Sequence, residues 1–84
     1  MNYSVEWTDK AEKQLADVWT HAPDKDAVTA AANRFEFLLR RDPLAQGESR
    51  GGNDRLMFEE PLSVYYRVDP VNRTVWVISV GRSS

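Results

Sequence analysis

Arginine is the residue type that first suggests chemistry in this sequence. In the second half of the chain the arginines are Arg50, Arg55, Arg67, Arg73 and Arg82. A guanidinium can stabilise the charge of a phosphate, but it stays protonated and is therefore a poor group for proton transfer. Glu59 and Glu60 are candidate bases, although two adjacent carboxylates repel the nucleic acid that such a site would have to bind.

Other side chains that usually carry catalysis are scarce. The sequence contains no cysteine, which excludes disulfides and thiolate chemistry. Its only histidine, His21, falls at the end of a predicted helix, and we interpret it as a surface or helix-end residue. We expect no metal ion and no cofactor.

Two adjacent tyrosines, Tyr65 and Tyr66, lie in one predicted strand and should point to opposite faces of a sheet. We expect one of them in the core beneath the helices and the other on the exposed sheet. The exposed ring could stack on a base or meet a partner peptide. Packing is the interpretation that we favour for both.

The composition indicates a single domain, residues 1–84. Apolar residues make up 42% of the 84 positions, which is enough for one core. The formal net charge of −2 argues against nucleic-acid binding, because phosphate contacts normally need a basic surface. No apolar run approaches the roughly 20 residues that span a bilayer, and the first residues lack a signal-peptide pattern. We therefore expect a cytoplasmic protein with no membrane contact.

The beginning of the chain predicts a strand and a helix. Alternation with polar residues predicts a half-buried strand that contains Tyr3, Val5 and Trp7. Thr8 then occupies an N-cap position, and the first helix should span about 12 to 14 residues. It should stop near His21, because Pro23 pushes the residue before it out of helical geometry.

A second helix should begin around Asp24 to Asp26, with either aspartate as its cap, and end at Asp42-Pro43. Only a few residues separate the two helices, which predicts an antiparallel hairpin. We expect the three tryptophans to pack in the core or between helices and sheet: Trp7, Trp19 and Trp76.

The second half of the chain predicts an antiparallel sheet. Gln46–Asp54 is predicted as a connector, either a loop or the mobile start of a strand. Three strands joined by short turns should follow: Arg55–Glu59, Leu62–Val68 and Thr74–Val80. The last is rich in β-branched residues, which indicates a central strand buried on both faces, and Gly81–Ser84 should be a tail. The predicted fold is α+β, of order β-α-α-β-β-β, with the helix hairpin packed on the antiparallel sheet.

Four motifs follow one another from Tyr3 to Arg82: Tyr3-x-Val5-x-Trp7-x-x-x-Ala11-x-x-x-Leu15, then Leu39-x-x-Asp42-Pro43 with Gly47 and Arg50, then Leu62-x-Val64-x-Tyr66-x-Val68-Asp69, and last Val75-x-Val77-Ile78-x-Val80-Gly81-Arg82. In this order and spacing they resemble the RelE/ParE superfamily of bacterial type II toxins. The resemblance implies a cognate antitoxin as partner. RelE-type members cut mRNA on the ribosome, with the 2′-hydroxyl as nucleophile, whereas ParE-type members are associated with DNA gyrase.

Most positions that serve RNA cleavage in RelE-type members are changed here. Leu56-Met57-Phe58 stands where those members carry lysines, and Ser63 matches an arginine of their penultimate strand. After Arg82 come Ser83 and Ser84, where the family has basic residues and an aromatic acid or base.

The resemblance leaves Arg50, Arg55 and Arg82 as candidate catalytic residues, which could converge on the sheet face where the family binds RNA. We favour a surface or antitoxin-contact role for them. The expected function is a toxin that acts by protein binding, either ParE-like or RelE-like without its catalytic residues. The alternative is a ribosome-dependent mRNA endonuclease with a divergent active site.

Overall fold

A computed structural model describes residues 2–83, which form a mixed sheet with two helices packed on one of its faces. The elements in chain order are β1 (Ser4–Trp7), α1 (Asp9–His21), α2 (Lys25–Arg41), a 3-10 turn (Pro43–Ala45), β2 (Glu48–Ser49), β3 (Asp54–Glu59), β4 (Leu62–Asp69) and β5 (Thr74–Arg82). The predicted α+β fold is confirmed, with the short strand β2 as an addition.

Helix α1 begins and ends where the sequence predicts. The Oγ1 of Thr8 accepts a hydrogen bond from the backbone N–H of Ala11 at 3.1 Å, which satisfies one free donor of the first turn. The helix ends at His21, and the buried Ala22 follows it in an extended conformation. Helix α1 packs mainly on β5, the strand next to the β1 edge of the sheet.

Helix α2 also occupies the predicted range, but the predicted cap is wrong. Asp24 stands at the N-cap position without a side-chain cap bond. Its two carboxylate oxygens instead accept hydrogen bonds from Arg82, both at 2.9 Å. Asp26 lies within the first turn and does not cap the helix either. The buried stripe of the helix, which faces the sheet, consists of Val28, Ala31, Phe35 and Leu39.

The strands are ordered β1-β5-β4-β3-β2, and all neighbours are antiparallel except β1 and β5. Strand β1 runs parallel to β5, with Ser4 opposite Thr74 and Trp7 opposite Val77. A parallel pair needs a crossover connection, and the helix hairpin supplies part of it.

The connector predicted at Gln46–Asp54 contains strand β2. Glu48 pairs with Leu56 and Ser49 pairs with Arg55, which extends the sheet by one short edge strand. The predicted alternative of a strand start applies only to Asp54, where β3 begins, whereas β2 is a separate strand that the sequence did not predict.

The prediction that β5 is buried on both faces is wrong. Val75, Val77 and Val80 are buried beneath the helices, but Trp76 is 44% exposed on the other face. The register shifts so that Tyr65 faces Ser79 and Tyr66 faces Val77, which leaves Ile78 as an extra residue. This β-bulge lets Val77 and Val80 point to the same side although they are three positions apart. The strand continues through Arg82, within the predicted tail, and Ser84 lies outside the described residues.

The hydroxyl of Tyr66 joins the sheet to the segment after α2. The ring is fully buried, and its Oη lies 2.8 Å from the carbonyl oxygen of Pro43 and 2.9 Å from that of Gln46. One hydroxyl proton serves one acceptor at a time, so the two carbonyls share it. The bond anchors the turn from which β2 departs.

Two glycines in the β2 region provide a matched test of the fold. Gly47 and Gly52 both have positive φ, at 64° and 54°. A Cβ on Gly47 would collide with the backbone carbonyl oxygen of Leu56, whereas a Cβ on Gly52 would meet nothing within 4 Å. We expect Gly52→Ala to lower the free energy of unfolding by about 1–2 kcal/mol through backbone strain alone.

Gly47→Ala should lower it by at least about twice as much, because β3 must also move. Urea-induced unfolding followed by circular dichroism measures both values. Equal losses for the two variants would contradict the close approach of Gly47 to β3.

Candidate functional site

The sheet face opposite the helices is uncovered, and we call it the open face. Alternation along the strands and the register across them define its members. They are Glu6 of β1, Asp54, Leu56 and Phe58 of β3, Ser63, Tyr65 and Arg67 of β4, and Trp76 of β5. Phe58 is 54% exposed and Trp76 is 44% exposed, so aromatic surface is available to a ligand.

Three polar residues of the open face form a closed network around Asp54. The guanidinium of Arg67 donates to both carboxylate oxygens, from Nε to Oδ1 at 2.6 Å and from Nη2 to Oδ2 at 3.2 Å. The hydroxyl of Tyr65 donates to Oδ2 at 2.6 Å. Asp54 lies opposite Arg67 in the β3–β4 register, so the sheet itself brings these groups together.

The network shifts the pKa values of its two candidate proton-transfer groups, Asp54 and Tyr65, further from neutral pH. Hydrogen bonds from Arg67 and then Tyr65 lower the pKa of Asp54 from 3.8 to about 2. The hydrogen bond to Asp54 raises the pKa of Tyr65 above its ordinary value of 10.0. Proton transfer is most effective when the pKa lies near the working pH, so neither group is suited to it.

The three candidate catalytic arginines are each engaged by a different group. Arg50 follows β2, and its Nη1 lies 3.3 Å from Oε2 of Glu48. Arg55 donates from Nε to the carbonyl oxygen of Gln46 at 2.7 Å, and so ties β3 to the bend before β2. Arg82, at the end of β5, makes the two-pronged ion pair with Asp24.

The structure does not bring the three arginines together. Arg50 and Arg55 lie near the end of the sheet where Asp54 faces Arg67. Arg82 lies opposite Leu62, at the other end of β4. Four residues of strand separate the Leu62 row from the Tyr66 row of Arg55, which is about 13 Å along the sheet. In the described chain the three guanidinium groups are therefore held by three different partners at two ends of the sheet.

The remaining candidates are also dispersed. Glu59 accepts a hydrogen bond from Nε of Arg34 at 2.6 Å, and therefore faces α2. Glu60 is exposed in the turn after β3, and Arg73 lies in the turn before β5. His21 is exposed at the end of α1, where its Nδ1 lies 2.9 Å from the carbonyl oxygen of Asp17. That position agrees with the predicted helix-end role.

The aromatic predictions are correct in part. Tyr66 is buried and Tyr65 is half-buried on the open face, so the two tyrosines do occupy opposite sides of the sheet. Trp7 packs against the core. Trp19 and Trp76 are each 44% exposed, so the packing prediction is wrong for both. Trp76 lies on the open face, and Trp19 lies on the flank of α1 that faces α2.

A concave surface lies between the two helices, and we call it the helix groove. Its volume is about 530 Å³, and Trp7 of β1 contributes to its lining. The remaining lining residues are Glu12, Leu15, Ala16, Trp19 and Thr20 of α1, with Val28, Thr29, Ala32, Asn33 and Glu36 of α2. Nε1 of Trp7 donates to Oε1 of Glu36 at 3.1 Å, and Nε1 of Trp19 donates to Oγ1 of Thr29 at 3.2 Å.

Sequence reasoning did not identify Asp54, Glu12 or Glu36 as site residues. Asp54 was assigned to the connector, and its pairing with Arg67 depends on the β3–β4 register extending one residue beyond the predicted start of β3. Glu12 and Glu36 flank the apolar stripes of their helices, where a carboxylate is usually solvated. The helical phase alone could have placed them beside a groove, but not opposite each other.

Two further site types are not found within residues 2–83. No group of three or more metal-ligating side chains is positioned to hold a metal ion. No helix in this range is long and apolar enough to cross a membrane.

Comparison with solved structures finds the same architecture in toxin–antitoxin proteins. A chain of the toxin–antitoxin complex RelBE2 from Mycobacterium tuberculosis matches with a TM-score of 0.75 and 24% identity, over 98% of this chain and 99% of that chain. A chain of the chromosomal ParDE system from P. aeruginosa matches with a TM-score of 0.75 and 21% identity, over 98% and 97%. The isolated E. coli RelE toxin matches with a TM-score of 0.71 and 18% identity, over 98% and 85%.

The chain therefore has the fold of the RelE/ParE toxins, and the resemblance in its sequence is confirmed at the level of architecture. At these identities the comparison shows the fold alone. No protein-family model matches the sequence, and no curated protein matches it.

The Asp54 network predicts a specific acid sensitivity. The folded-state pKa of Asp54 is lowered to about 2, so its carboxylate stabilises the fold above about pH 4 and loses that effect as pH falls toward 2. We expect Asp54→Asn to be less stable than wild type at pH 6, and the gap between them to narrow from pH 4 to pH 2.

In a chain that also carries Arg67→Gln, the stability lost through Asp54→Asn at pH 6 should be smaller, because the Arg67 guanidinium is the main cause of the lowered pKa of Asp54. Urea unfolding at a series of pH values measures the effect. Parallel pH profiles for wild type and Asp54→Asn would show that the network does not form in solution.

Proposed function

We propose that this chain is the toxin component of a toxin–antitoxin pair, and that it acts by binding a protein. The proposal is supported by the fold, which is found in RelE and in ParDE structures that span nearly the whole chain. Fold alone does not determine activity in a superfamily with several activities, so the choice between binding and cleavage depends on the open face.

The network around Asp54 is the observation that carries the choice of binding. RNA cleavage through the 2′-hydroxyl needs a base and an acid on either side of the scissile phosphate, with cations for the developing charge. In the network of the open face the acid–base pair is Asp54 and Tyr65, and each is tied to the other. Arg67 is tied to Asp54 in the same way. Asp54, Tyr65 and Arg67 are therefore already bonded to one another rather than available to a phosphate.

The partner side of the proposal follows the neighbouring structures. The intact E. coli RelBE assembly and the archaeal RelE–RelB assembly from Pyrococcus horikoshii are toxin–antitoxin complexes with the same fold. We accordingly assign to this chain a cognate antitoxin in the cytoplasm and a protein as its cellular target, of which DNA gyrase is the candidate that the resemblance supplies.

Induced expression in a bacterial host tests the proposal. Wild type should arrest growth, and sequencing of mRNA 5′ ends on stalled ribosomes should show no cleavage at codon positions. Arg50→Ala and Arg82→Ala should arrest growth as strongly as wild type, because neither arginine carries chemistry in this mechanism.

The variants must be folded, which circular dichroism of the purified chains establishes. Codon-position cleavage by wild type would favour the ribosome-dependent endonuclease instead. Loss of arrest in a folded Arg82→Ala variant would count against binding as the mechanism. Absence of arrest by folded wild type would contradict the toxin role itself.

A further inference from the structure

A row of four side chains crosses the open face from β1 to β3. Glu6 of β1 lies opposite Trp76 of β5. On its other side Trp76 lies opposite Arg67 of β4, whose own partner on β3 is Asp54. Neighbouring strands are about 4.8 Å apart, so the row is about 14 Å long. Trp76 therefore stands between a carboxylate on one neighbouring strand and a guanidinium on the other.

The two charges beside Trp76 differ in how they are paired. The guanidinium of Arg67 donates to both carboxylate oxygens of Asp54, which hold it on the β3 side of its strand. Glu6 is exposed on β1, and among the described residues it has no hydrogen-bond or ion-pair partner. The free carboxylate of the row consequently lies next to the exposed indole.

Trp76 has no cation over its ring within residues 2–83, in contrast to two exposed rings on the helices. Nζ of Lys25 lies 5.3 Å from the ring centroid of Trp19, and Cζ of Arg41 lies 5.2 Å from that of Phe37. Both distances fall within the roughly 6 Å at which a cation is attracted to the face of a ring. Trp76 is 44% exposed, and indole is the side-chain ring that binds cations best. Its surface is thus available to a cation from another molecule.

Aromatic side chains lead diagonally across the open face from Trp76 to Phe58. Tyr65 lies two positions from the direct neighbour of Trp76 on β4. Phe58 likewise lies two positions from the direct neighbour of Tyr65 on β3, and it is 54% exposed. Diagonal neighbours of this kind are about 7–8 Å apart, so the three rings span about 15 Å. An extended peptide of about five residues has a similar length.

We infer that the open face binds a segment of a target protein that presents an arginine to Trp76 and Glu6, followed by apolar side chains along the diagonal to Phe58. A planar guanidinium stacks on an aromatic ring and donates in the same plane to a carboxylate, whereas the compact ammonium of a lysine is less suited to both contacts at once. The inference rests on the proposed function, since it assigns this segment to the cellular target. The charge of Glu6 favours such a segment over RNA, because a carboxylate repels phosphate.

Two synthetic peptides test the chemistry of this surface. The first is acetyl-Arg-Gly-Leu-Gly-Leu-amide, in which glycines separate the side chains that would face the sheet. The second carries citrulline instead of arginine, which has nearly the same shape and no charge. Nuclear magnetic resonance follows the indole Nε1–H signal of Trp76 during titration and gives each dissociation constant. The Trp76→Leu variant identifies this signal among those of the three tryptophans.

Glu6→Gln should act on one peptide only. The arginine peptide should bind wild type about three- to thirtyfold more tightly than the citrulline peptide, through an exposed cation–π contact and an exposed ion pair. Glu6→Gln should weaken the arginine peptide about two- to fivefold and leave the citrulline peptide unchanged, and this cycle isolates the ion pair. Asp26→Asn is the matched control, because it removes one negative charge from an exposed position on α2 and should change neither dissociation constant.

Trp76→Leu tests the ring itself. Leucine keeps apolar surface at this position but has no π-face, so the preference for arginine over citrulline should fall about two- to fivefold. Backbone amide signals of β5 report binding in this variant. Circular dichroism establishes that the variants are folded.

Trp76→Arg connects the surface to the cellular target. This change places a cation beside Glu6, so it should weaken the arginine peptide at least about tenfold and abolish growth arrest on induced expression. Ala30→Arg, at an exposed position of α2 outside both surfaces, should change neither result. Growth arrest by folded Trp76→Arg as strong as that by wild type would overturn the assignment of this surface to the target.

Several other outcomes would overturn the inference: no shift of the Trp76 signal with either peptide at millimolar concentration, equal affinity for the two peptides, or equal effects of Glu6→Gln and Asp26→Asn. A single-stranded uridine oligonucleotide that shifts this signal and binds more tightly than the arginine peptide would assign the surface to RNA. A wild-type dimer in sedimentation that Trp76→Arg converts to monomer would assign it to a second copy. The peptide measurements use the purified chain, so their failure is separate from absence of growth arrest by wild type, which would contradict the toxin role.

Discussion

Two helices cover one face of this sheet and leave the other face open, and most other features follow from that constraint. Strand β4 alternates strictly, with Leu62, Val64, Tyr66 and Val68 buried beneath the helices. The same alternation must place the intervening residues on the open face, whatever their polarity. Even β5, the most apolar strand, exposes Trp76 for this reason. The bulge at Ile78 then returns Val80 to the covered side, so that a single core is continued to the end of the strand.

The open face is accessible to solvent, but its arginine is already paired with a carboxylate. On this face an ion pair joins Arg67 to Asp54, whereas the pairs of Arg34 with Glu59 and of Arg82 with Asp24 lie on the side of the helices. Exposed pairs of this kind add little to stability. Their consequence is for binding, because an incoming phosphate must compete with a carboxylate held in place by the same chain. Such an intramolecular competitor acts at a high effective concentration.

Local features of the sequence were sufficient to predict the elements, and features that depend on long-range pairing were not. The Thr8 cap and the proline after α1 act within a few residues, so the boundaries of that helix could be predicted. The cap of α2 could not, because Asp24 is engaged by Arg82, which lies 58 residues away. Strand β2 pairs through only two residues, too few for alternation to show. The bulge in β5 could not be predicted, because it lies in a run of β-branched residues. Such a composition fits a strand that is buried on one face as well as a strand that is buried on both.

The residues of the two exposed surfaces are separate, which bears on how such a fold can change its activity. The helix groove is built from α1, α2 and Trp7, and the open face is built chiefly from β3, β4 and Trp76. No described residue belongs to both. Substitutions that remove proton-transfer groups from the open face therefore leave the groove intact, since the core lies between the two surfaces. A chain of this fold can lose RNA chemistry and still keep a preformed surface for a protein partner, and this separation makes binding without cleavage a stable combination rather than a damaged one.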